Sequence, residues 1–117
     1  MAFGATGKTE YAEAFGRITA QESRAIGVHW NFFPDADVNS NPANPVINTR
    51  SYGEDPQQVS ALASAYIKGA HQAGMLVTAK HFPGHGDTAT NSHLALAQVN
   101  GNLQRLQTVE LPPFEAA

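Results

Sequence analysis

Residues 80–93, KHFPGHGDTATNSH, place three histidines, a lysine and an aspartate within one short segment. Histidine titrates near neutral pH without assistance, and a neighbouring carboxylate makes it a stronger base. Lysine and arginine add positively charged hydrogen-bond donors for substrate hydroxyls. The segment therefore predicts general acid/base chemistry, with His93, His81 and Lys80 as candidate residues.

A metal site is the alternative for the same segment. It offers four imidazole or carboxylate donors: His81, His85, Asp87 and His93. A Pro-Gly pair separates His81 from His85, so these two do not share one helical face, as the ligands of a paired metal site would prefer. Acid/base chemistry fits the segment better, and we expect no metal.

Residues 4–9, GATGKT, are similar to a phosphate-binding loop. That motif needs a glycine five residues before the Gly-Lys pair and a strand before the loop. Ala2 occupies the glycine position, so we expect a turn that leads into a helix, and the sequence predicts no cofactor.

The clearest predicted helix follows Asp55, a favourable N-cap with Pro56 at the first helical position and Gln58 at a capping-box spacing. Gly74 is expected to end it. Its apolar residues recur at helical spacing and form one stripe: Val59, Leu62, Ala63, Tyr66, Ile67, Ala70 and Ala73.

Two further helices are predicted on either side of it. The first covers about residues 9–25 and ends at Gly27. Its expected inward residues are Tyr11, Phe15, Ile18 and Ala25 or Ile26. The second begins near Asn102, and Pro112 and Pro113 are expected to interrupt it. Its expected apolar residues are Leu103, Leu106 and Val109.

Two apolar runs, residues 28–38 and 75–82, each follow a predicted helix and lead into a polar loop. This alternation is typical of parallel βα units, in which the loops after the strands carry function. Two parallel strands cannot complete a buried sheet. The sequence therefore predicts an incomplete α/β segment over residues 1–117, to be completed by copies of itself or by a larger protein.

Arg50, in the loop after the first run, is a candidate donor for the same site. The alternative is a surface ion pair with Glu54 or Asp55. Asp35 and Asp37 end the first run, and we favour a loop-bracing role over a role in the site.

Composition excludes several classes of function. The net charge is −3 and the basic residues are scattered, so neither nucleic acid nor an anionic membrane is an expected partner. No apolar run is long enough to span a bilayer. The start of the sequence has no signal-peptide pattern and cysteine is absent, which favours a cytoplasmic location.

Residues 80–93 resemble the signature of glycoside hydrolase family 3, in its β-N-acetylhexosaminidase branch, where KHFPGHG is followed by an Asp-Ser-His triplet. Residues 16–59 and 109–117 are similar to the flanking parts of the same family. The resemblance implies a partial (β/α)₈ TIM-barrel segment with about two parallel strands and three helices. It also implies retaining hydrolysis of terminal β-linked N-acetylhexosamine. The alternatives are a β-glucosidase-type specificity and a non-catalytic, self-assembling sugar-binding module.

The resemblance also implies residue roles. His93 matches the acid/base, and Asn91 stands where the family has the aspartate that holds the ring of that histidine. Arg50, Lys80 and His81 match sugar-binding positions. The nucleophilic aspartate lies downstream of this motif in the family and has no match in residues 1–117, so we expect this chain alone to be weak or inactive. Asparagine keeps an acceptor oxygen but loses the charge of aspartate.

Overall fold

The computed structural model describes residues 1–99 and 101–117, and its centre is a pair of parallel strands that follow two long helices. The first elements are helix α1 (Ala2–Thr6), helix α2 (Thr9–Ala25), strand β1 (Trp30–Asn31), helix α3 (Pro56–Gln72) and strand β2 (Leu76–Val77). Trp30 pairs with Leu76 and Asn31 with Val77. The predicted α/β class and parallel strand pair are confirmed. A further parallel bridge joins Asp35 to Lys80.

Helix α3 begins and ends where the sequence predicts. Asp55 Oδ1 accepts a hydrogen bond from the Gln57 N–H at 3.0 Å, and Gly74 follows the helix with a φ of 73°. The predicted capping box is wrong, because the Gln58 side chain donates to the Gly4 carbonyl at 2.8 Å and not to the cap residue. That bond attaches α1 to the start of α3.

Helices α2 and α3 approach closely through glycine. A Cβ atom at Gly16 would lie 2.1 Å from the Tyr66 carbonyl oxygen, and one at Gly69 would lie 2.0 Å from that of Glu13. No side chain fits at either position, so these two glycines permit the contact between the helices.

The predicted inward face of α2 is wrong for most of its residues. The buried positions are small: Ala12, Gly16 and Ala20. Tyr11 and Ile18 are 47% and 45% exposed, and Ile26 is 82% exposed. Close helix packing selects small residues for the contact face and turns the larger ones outward. Phe15 is half-buried, and its ring lies 5.3 Å from that of Tyr66.

The two faces of the strand pair differ in burial. Phe33 and Val77 pack against the core residues of α2 and α3. On the other face, Trp30, Phe32 and Leu76 are each more than half exposed. Only the face toward the helices is therefore covered in the described part of the chain.

The chain after residue 100 forms three short helical pieces: α4 (Leu103–Arg105), a π-helical turn (Leu106–Glu110) and α5 (Pro112–Glu115). The Asn102 side chain caps the first piece by accepting from the Arg105 N–H at 2.9 Å. The single third helix of the prediction is thus divided. Pro112 opens a new helical turn because its fixed φ suits the first helical position. In the described residues, no helix has the length and apolar content needed to cross a membrane.

Candidate functional site

Two loops meet at the carboxyl ends of the strands. We call the loop after β1, residues 32–55, the β1 loop. In the loop after β2, we call residues 81–88 the proximal turn and residues 91–99 the distal segment. The Ala36 N–H donates to the Lys80 carbonyl at 2.6 Å, and the Lys80 N–H donates to that of Pro34 at 3.0 Å. These bonds place the start of the β1 loop against the start of the proximal turn. The Phe33–Pro34, Lys80–His81 and Phe82–Pro83 peptide bonds are cis.

Asp37 holds the proximal turn. Its side chain is fully buried. The carboxylate accepts from the His81 N–H at 3.2 Å and from the His85 N–H at 2.6 Å. Its Oδ2 also lies 2.7 Å from His81 Nδ1. The hydrogen bonds expected of a loop-bracing residue are present. They also include the ring of His81, so bracing and the candidate site are not separate for Asp37.

Asp35 lies beside two of the three sugar-binding candidates, Arg50 and His81, which come from different loops. Its carboxylate Oδ1 is 3.2 Å from Arg50 Nη2 and 3.8 Å from His81 Nδ1. Burial raises the pKa of Asp35 above its ordinary value, and the positive charge of Arg50 opposes this shift. In the described part of the chain, Arg50 pairs with Asp35 and not with Glu54 or Asp55.

Arg50 and His81 also contact each other. Arg50 Nη2 lies 3.4 Å from His81 Nε2, while its Nη1 donates to the Val46 carbonyl at 3.2 Å. Lys80 is half-buried next to His81, and its charge also acts to lower the pKa of Asp35. The structure therefore brings Arg50, Lys80 and His81 to one place.

His85 connects the proximal turn to the distal segment. Its Nδ1 lies 2.5 Å from the Thr88 hydroxyl oxygen, and its Nε2 lies 2.9 Å from the hydroxyl oxygen of Ser92. The proximal turn and the distal segment line an open cavity of about 410 Å³. His81, His85 and Ser92 are among the residues that line this cavity.

His93 is exposed and lies on the distal segment. Asn91 Oδ1 accepts from the backbone N–H of His93 at 3.0 Å, which forms a local turn. In this arrangement the Asn91 oxygen contacts the backbone of His93 and not its ring. The roles expected for the pair remain predictions.

Of the four metal ligands considered from the sequence, His81 alone belongs to the donor group that the described residues bring together. In the described residues, Asp35, Asp37 and His81 place one donor atom each within 4.8 Å of one another. The Asp37 carboxylate already accepts from the His81 and His85 N–H groups, and Asp35 pairs with Arg50. A cation would compete with all of these donors, so the arrangement fits hydrogen bonding better than metal ligation.

Sequence reasoning missed Asn44. Its side chain is buried, and Nδ2 donates to the carbonyls of His85 and Gly86 at 2.7 and 3.0 Å. Oδ1 accepts from the N–H groups of Val46 and Ile47 at 2.8 Å each. The run Asn-Pro-Ala-Asn-Pro is a turn signal, but nothing in it indicates contact with a segment more than forty residues later.

Arg105 was also missed. Its guanidinium reaches Ser40 Oγ at 3.0 Å, Glu110 Oε1 at 3.1 Å and Asp87 Oδ2 at 3.5 Å. It therefore joins the β1 loop, the proximal turn and the π-helical turn.

Comparisons with known proteins match the chain to relatives that act on glycosides. Residues 1–117 match the profile of the "Glycosyl hydrolase family 3 N terminal domain". The Beta-hexosaminidase A of Pseudoalteromonas piscicida is 42% identical over 97% of this chain and 20% of its own length. The Beta-hexosaminidase of Methylococcus capsulatus is 42% identical over 90% of this chain and 31% of its own length. The chain thus spans about a fifth to a third of the curated relatives that it matches.

Solved structures agree. A glycoside hydrolase family 3 beta-N-acetylglucosaminidase from Paenibacillus superposes with a TM-score of 0.99 at 46% identity, over 100% of this chain and 22% of that structure. A beta-glucoside phosphorylase superposes with a TM-score of 0.94 at 35% identity, over 97% of this chain and 20% of that structure. These matches confirm the predicted family and the predicted α/β barrel-segment fold. The chain belongs to glycoside hydrolase family 3 and matches its N-terminal domain.

Proposed function

We propose that this chain supplies the acid/base loop and the sugar-binding groups of a retaining β-N-acetylhexosaminidase. The observation that carries the proposal is the meeting of Arg50 and His81. They are 31 residues apart in sequence, and their side chains lie 3.4 Å apart at the strand ends. Lys80 lies beside them. Relatives named as hexosaminidases support the choice of substrate class.

Asp35 and Asp37 are unsuited to the role of nucleophile. A retaining glycosidase needs a carboxylate that can reach the anomeric carbon of the sugar. Both residues are buried, and their oxygens accept hydrogen bonds from Arg50, His81 and His85. We assign a positioning role to Asp35 and Asp37. We assign the nucleophile to a residue that is not among the 117 of this sequence.

His93 is the proposed acid/base. An exposed imidazole can give a proton to the glycosidic oxygen as the bond to the leaving group breaks. It can then take a proton from the water that releases the sugar. Asn91 adds no negative charge to stabilise the imidazolium, so the proposal includes slow proton transfer.

Sugar binding is the first test, because it does not require a nucleophile. Calorimetric titration with N-acetylglucosamine is expected to show binding that weakens about tenfold in Arg50→Met and in His81→Ala. Lys68→Met is the matched control, since Lys68 pairs with Glu13 on the α2–α3 surface. Equal affinity in all four proteins would refute the assignment of Arg50 and His81.

Turnover is the second test. A chromogenic β-N-acetylglucosaminide is expected to be cleaved slowly or not at all by the chain, and faster by Asn91→Asp if the polypeptide assayed includes the nucleophile. His93→Ala is expected to remove whatever cleavage is present. Efficient cleavage that survives His93→Ala would contradict the proposed acid/base.

A β-glucoside is the second candidate substrate. It is favoured by a Cellulomonas fimi relative, 39% identical over 86% of this chain, that is named "Beta-N-acetylglucosaminidase/beta-glucosidase". The structural match to a beta-glucoside phosphorylase points the same way. Competition between glucose and N-acetylglucosamine for the site decides between them, and preference for glucose would favour the second candidate. Sugar binding by an oligomer without turnover would favour the self-assembling module.

A further inference from the structure

We propose that Asp37 holds His81 in the tautomer that leaves a lone pair on Nε2, so that His81 accepts a hydrogen bond from a sugar hydroxyl. The identity of the ligand rests on the proposed function. The tautomer does not, because it follows from the protein's own contacts. Asp37 is thus a positioning residue that acts through His81.

The first argument comes from the Asp37 side of the ring. The other hydrogen bonds to this carboxylate come from the backbone N–H groups of His81 and His85, so the carboxylate acts as an acceptor throughout. The contact of 2.7 Å between Asp37 Oδ2 and His81 Nδ1 then needs a proton on Nδ1. In a neutral imidazole, the other nitrogen carries the lone pair.

The second argument comes from the opposite side of the ring. Arg50 can only donate, and its Nη2 lies 3.4 Å from His81 Nε2. A lone pair at Nε2 makes this contact favourable, whereas a proton there would face the guanidinium. The acceptor at Nδ1 and the donor at Nε2 therefore select the same tautomer.

His85 shows that this selection is specific to His81. Its ring nitrogens contact the hydroxyls of Thr88 and Ser92. A hydroxyl can donate or accept, so these partners allow either tautomer of His85. The contacts of His81 thus fix which ring nitrogen carries the proton, whereas those of His85 do not.

The consequence is a defined pattern of donors and acceptors toward the ligand. Arg50 and Lys80 offer only donors, while His81 offers the single lone pair of Nε2, which a ligand hydroxyl takes over from the 3.4 Å contact with Arg50. A sugar hydroxyl matches this pattern, because its oxygen can accept from a cation while its proton is donated to Nε2. Fluorine in the same place could accept but could not donate to His81.

The tautomer is tested first, by ¹⁵N spectra of the histidine rings at a pH where they are neutral. The expected result for the wild-type chain is a protonated Nδ1 and an unprotonated Nε2 on His81. A protonated Nε2 in the wild type would overturn the proposal, and this measurement needs no variant.

Asp37→Asn separates positioning from a purely structural role. The amide can donate to Nδ1, so the population of the tautomer with a protonated Nε2 is expected to rise. Asp35→Asn is the matched control, because Asp35 is a buried neighbour at 3.8 Å from Nδ1. A merely structural Asp37 would lower the unfolding temperature and leave the tautomer of His81 unchanged, which would contradict the proposal.

Ligand binding is tested with N-acetylglucosamine and its monodeoxyfluoro analogues. One analogue is expected to bind about tenfold more weakly than the parent sugar to the wild type. The same analogue and the parent are expected to bind alike to His81→Ala. If every analogue loses equally in both proteins, His81 is not the acceptor. If no sugar binds while the tautomer is as expected, the proposed function fails and the positioning by Asp37 stands.

Discussion

The proximal turn and the distal segment follow the same strand, but they are held in different ways. The proximal turn is attached to buried side chains of the β1 loop, chiefly Asp37 and Asn44. The described side-chain hydrogen bond that links the distal segment to the proximal turn joins His85 to Ser92, and both partners have solvent-exposed atoms. Of the proposed sugar-binding residues, Arg50 and Lys80 precede the proximal turn and His81 begins it. The proposed acid/base, His93, lies on the distal segment.

This difference indicates that the proximal turn and the distal segment have different roles. Groups that recognise a sugar gain affinity when they are positioned before binding, since less conformational entropy is then lost. Arg50 and His81 meet this requirement through buried acceptors. Within the described residues, His93 is held by a local turn with Asn91. We therefore expect substitutions in the β1 loop to affect folding and binding, and substitutions in the distal segment to affect chemistry.

Asp37→Ala is expected to have the largest effect, because it removes the main attachment of the proximal turn to the β1 loop. It leaves the N–H groups of His81 and His85 and the Nδ1 of His81 without their acceptor in a buried place. Loss of a buried charged acceptor predicts a decrease of about 3 kcal/mol or more in the free energy of unfolding, measured with urea. Asp55→Ala, which removes an exposed helix cap, should cost about 1 kcal/mol. Equal losses for the two variants would show that the proximal turn does not depend on Asp37.

Asn44→Ala should have the next largest effect. It removes hydrogen bonds to the carbonyls of His85 and Gly86 within the interface of the two loops. We expect a loss of about 2 kcal/mol in the free energy of unfolding and weaker sugar binding. Asn41→Ala is a milder comparison, because Asn41 makes one such bond, to the Asp87 carbonyl at 3.1 Å. A loss for Asn44→Ala no greater than that for Asn41→Ala would contradict this ranking.

Ser92→Ala tests how the distal segment is attached to the proximal turn. It removes the contact with His85 and leaves the proximal turn intact. Hydrogen exchange of the Leu94 and Ala95 amides, which are bonded to the Asn91 carbonyl, should accelerate by up to about tenfold with little change in global stability. Ser60→Ala, which loses a bond within α3, is the control for loss of a hydroxyl. Unchanged exchange would mean that His85 does not hold the distal segment.

Asp35→Asn should give the smallest effect, and one that depends on pH. Burial raises the pKa of Asp35 in the folded chain above the ordinary 3.8. A raised pKa means that the folded state binds the proton more tightly than the unfolded state, so this stabilisation is complete below 3.8 and is lost as pH rises through the folded pKa. Unfolding free energies across this range should therefore fall with pH more in the wild type than in the variant. Parallel curves would show that Asp35 does not titrate as described.

Part of the fold and of the site could be predicted from local sequence. The cap at Asp55, the stop at Gly74 and the alternation of helices with short strands all depend on neighbouring residues and on regular spacing. The inward face of α2 could not, because it depends on how closely α3 approaches. Gly16 is needed only because the Tyr66 carbonyl lies there.

The contacts of Asp37 had no signal in the sequence beyond its place at a strand end. Its partners His81 and His85 follow 44 and 48 residues later. Pairing over such distances is decided by how the strands align, and the spacing of residues within one segment carries no record of it.

The sequence by itself determined the family, the βα rhythm and the residue types that can bind a sugar and move a proton. The tertiary structure decided which of these groups are held and how. Parallel pairing of β1 with β2 places two loop origins side by side. A buried carboxylate at that junction must find donors, and it finds them in the backbone and ring of His81. The ring of His81 is thereby oriented by Asp37, whereas His93 is held by the short-range turn that its own segment forms.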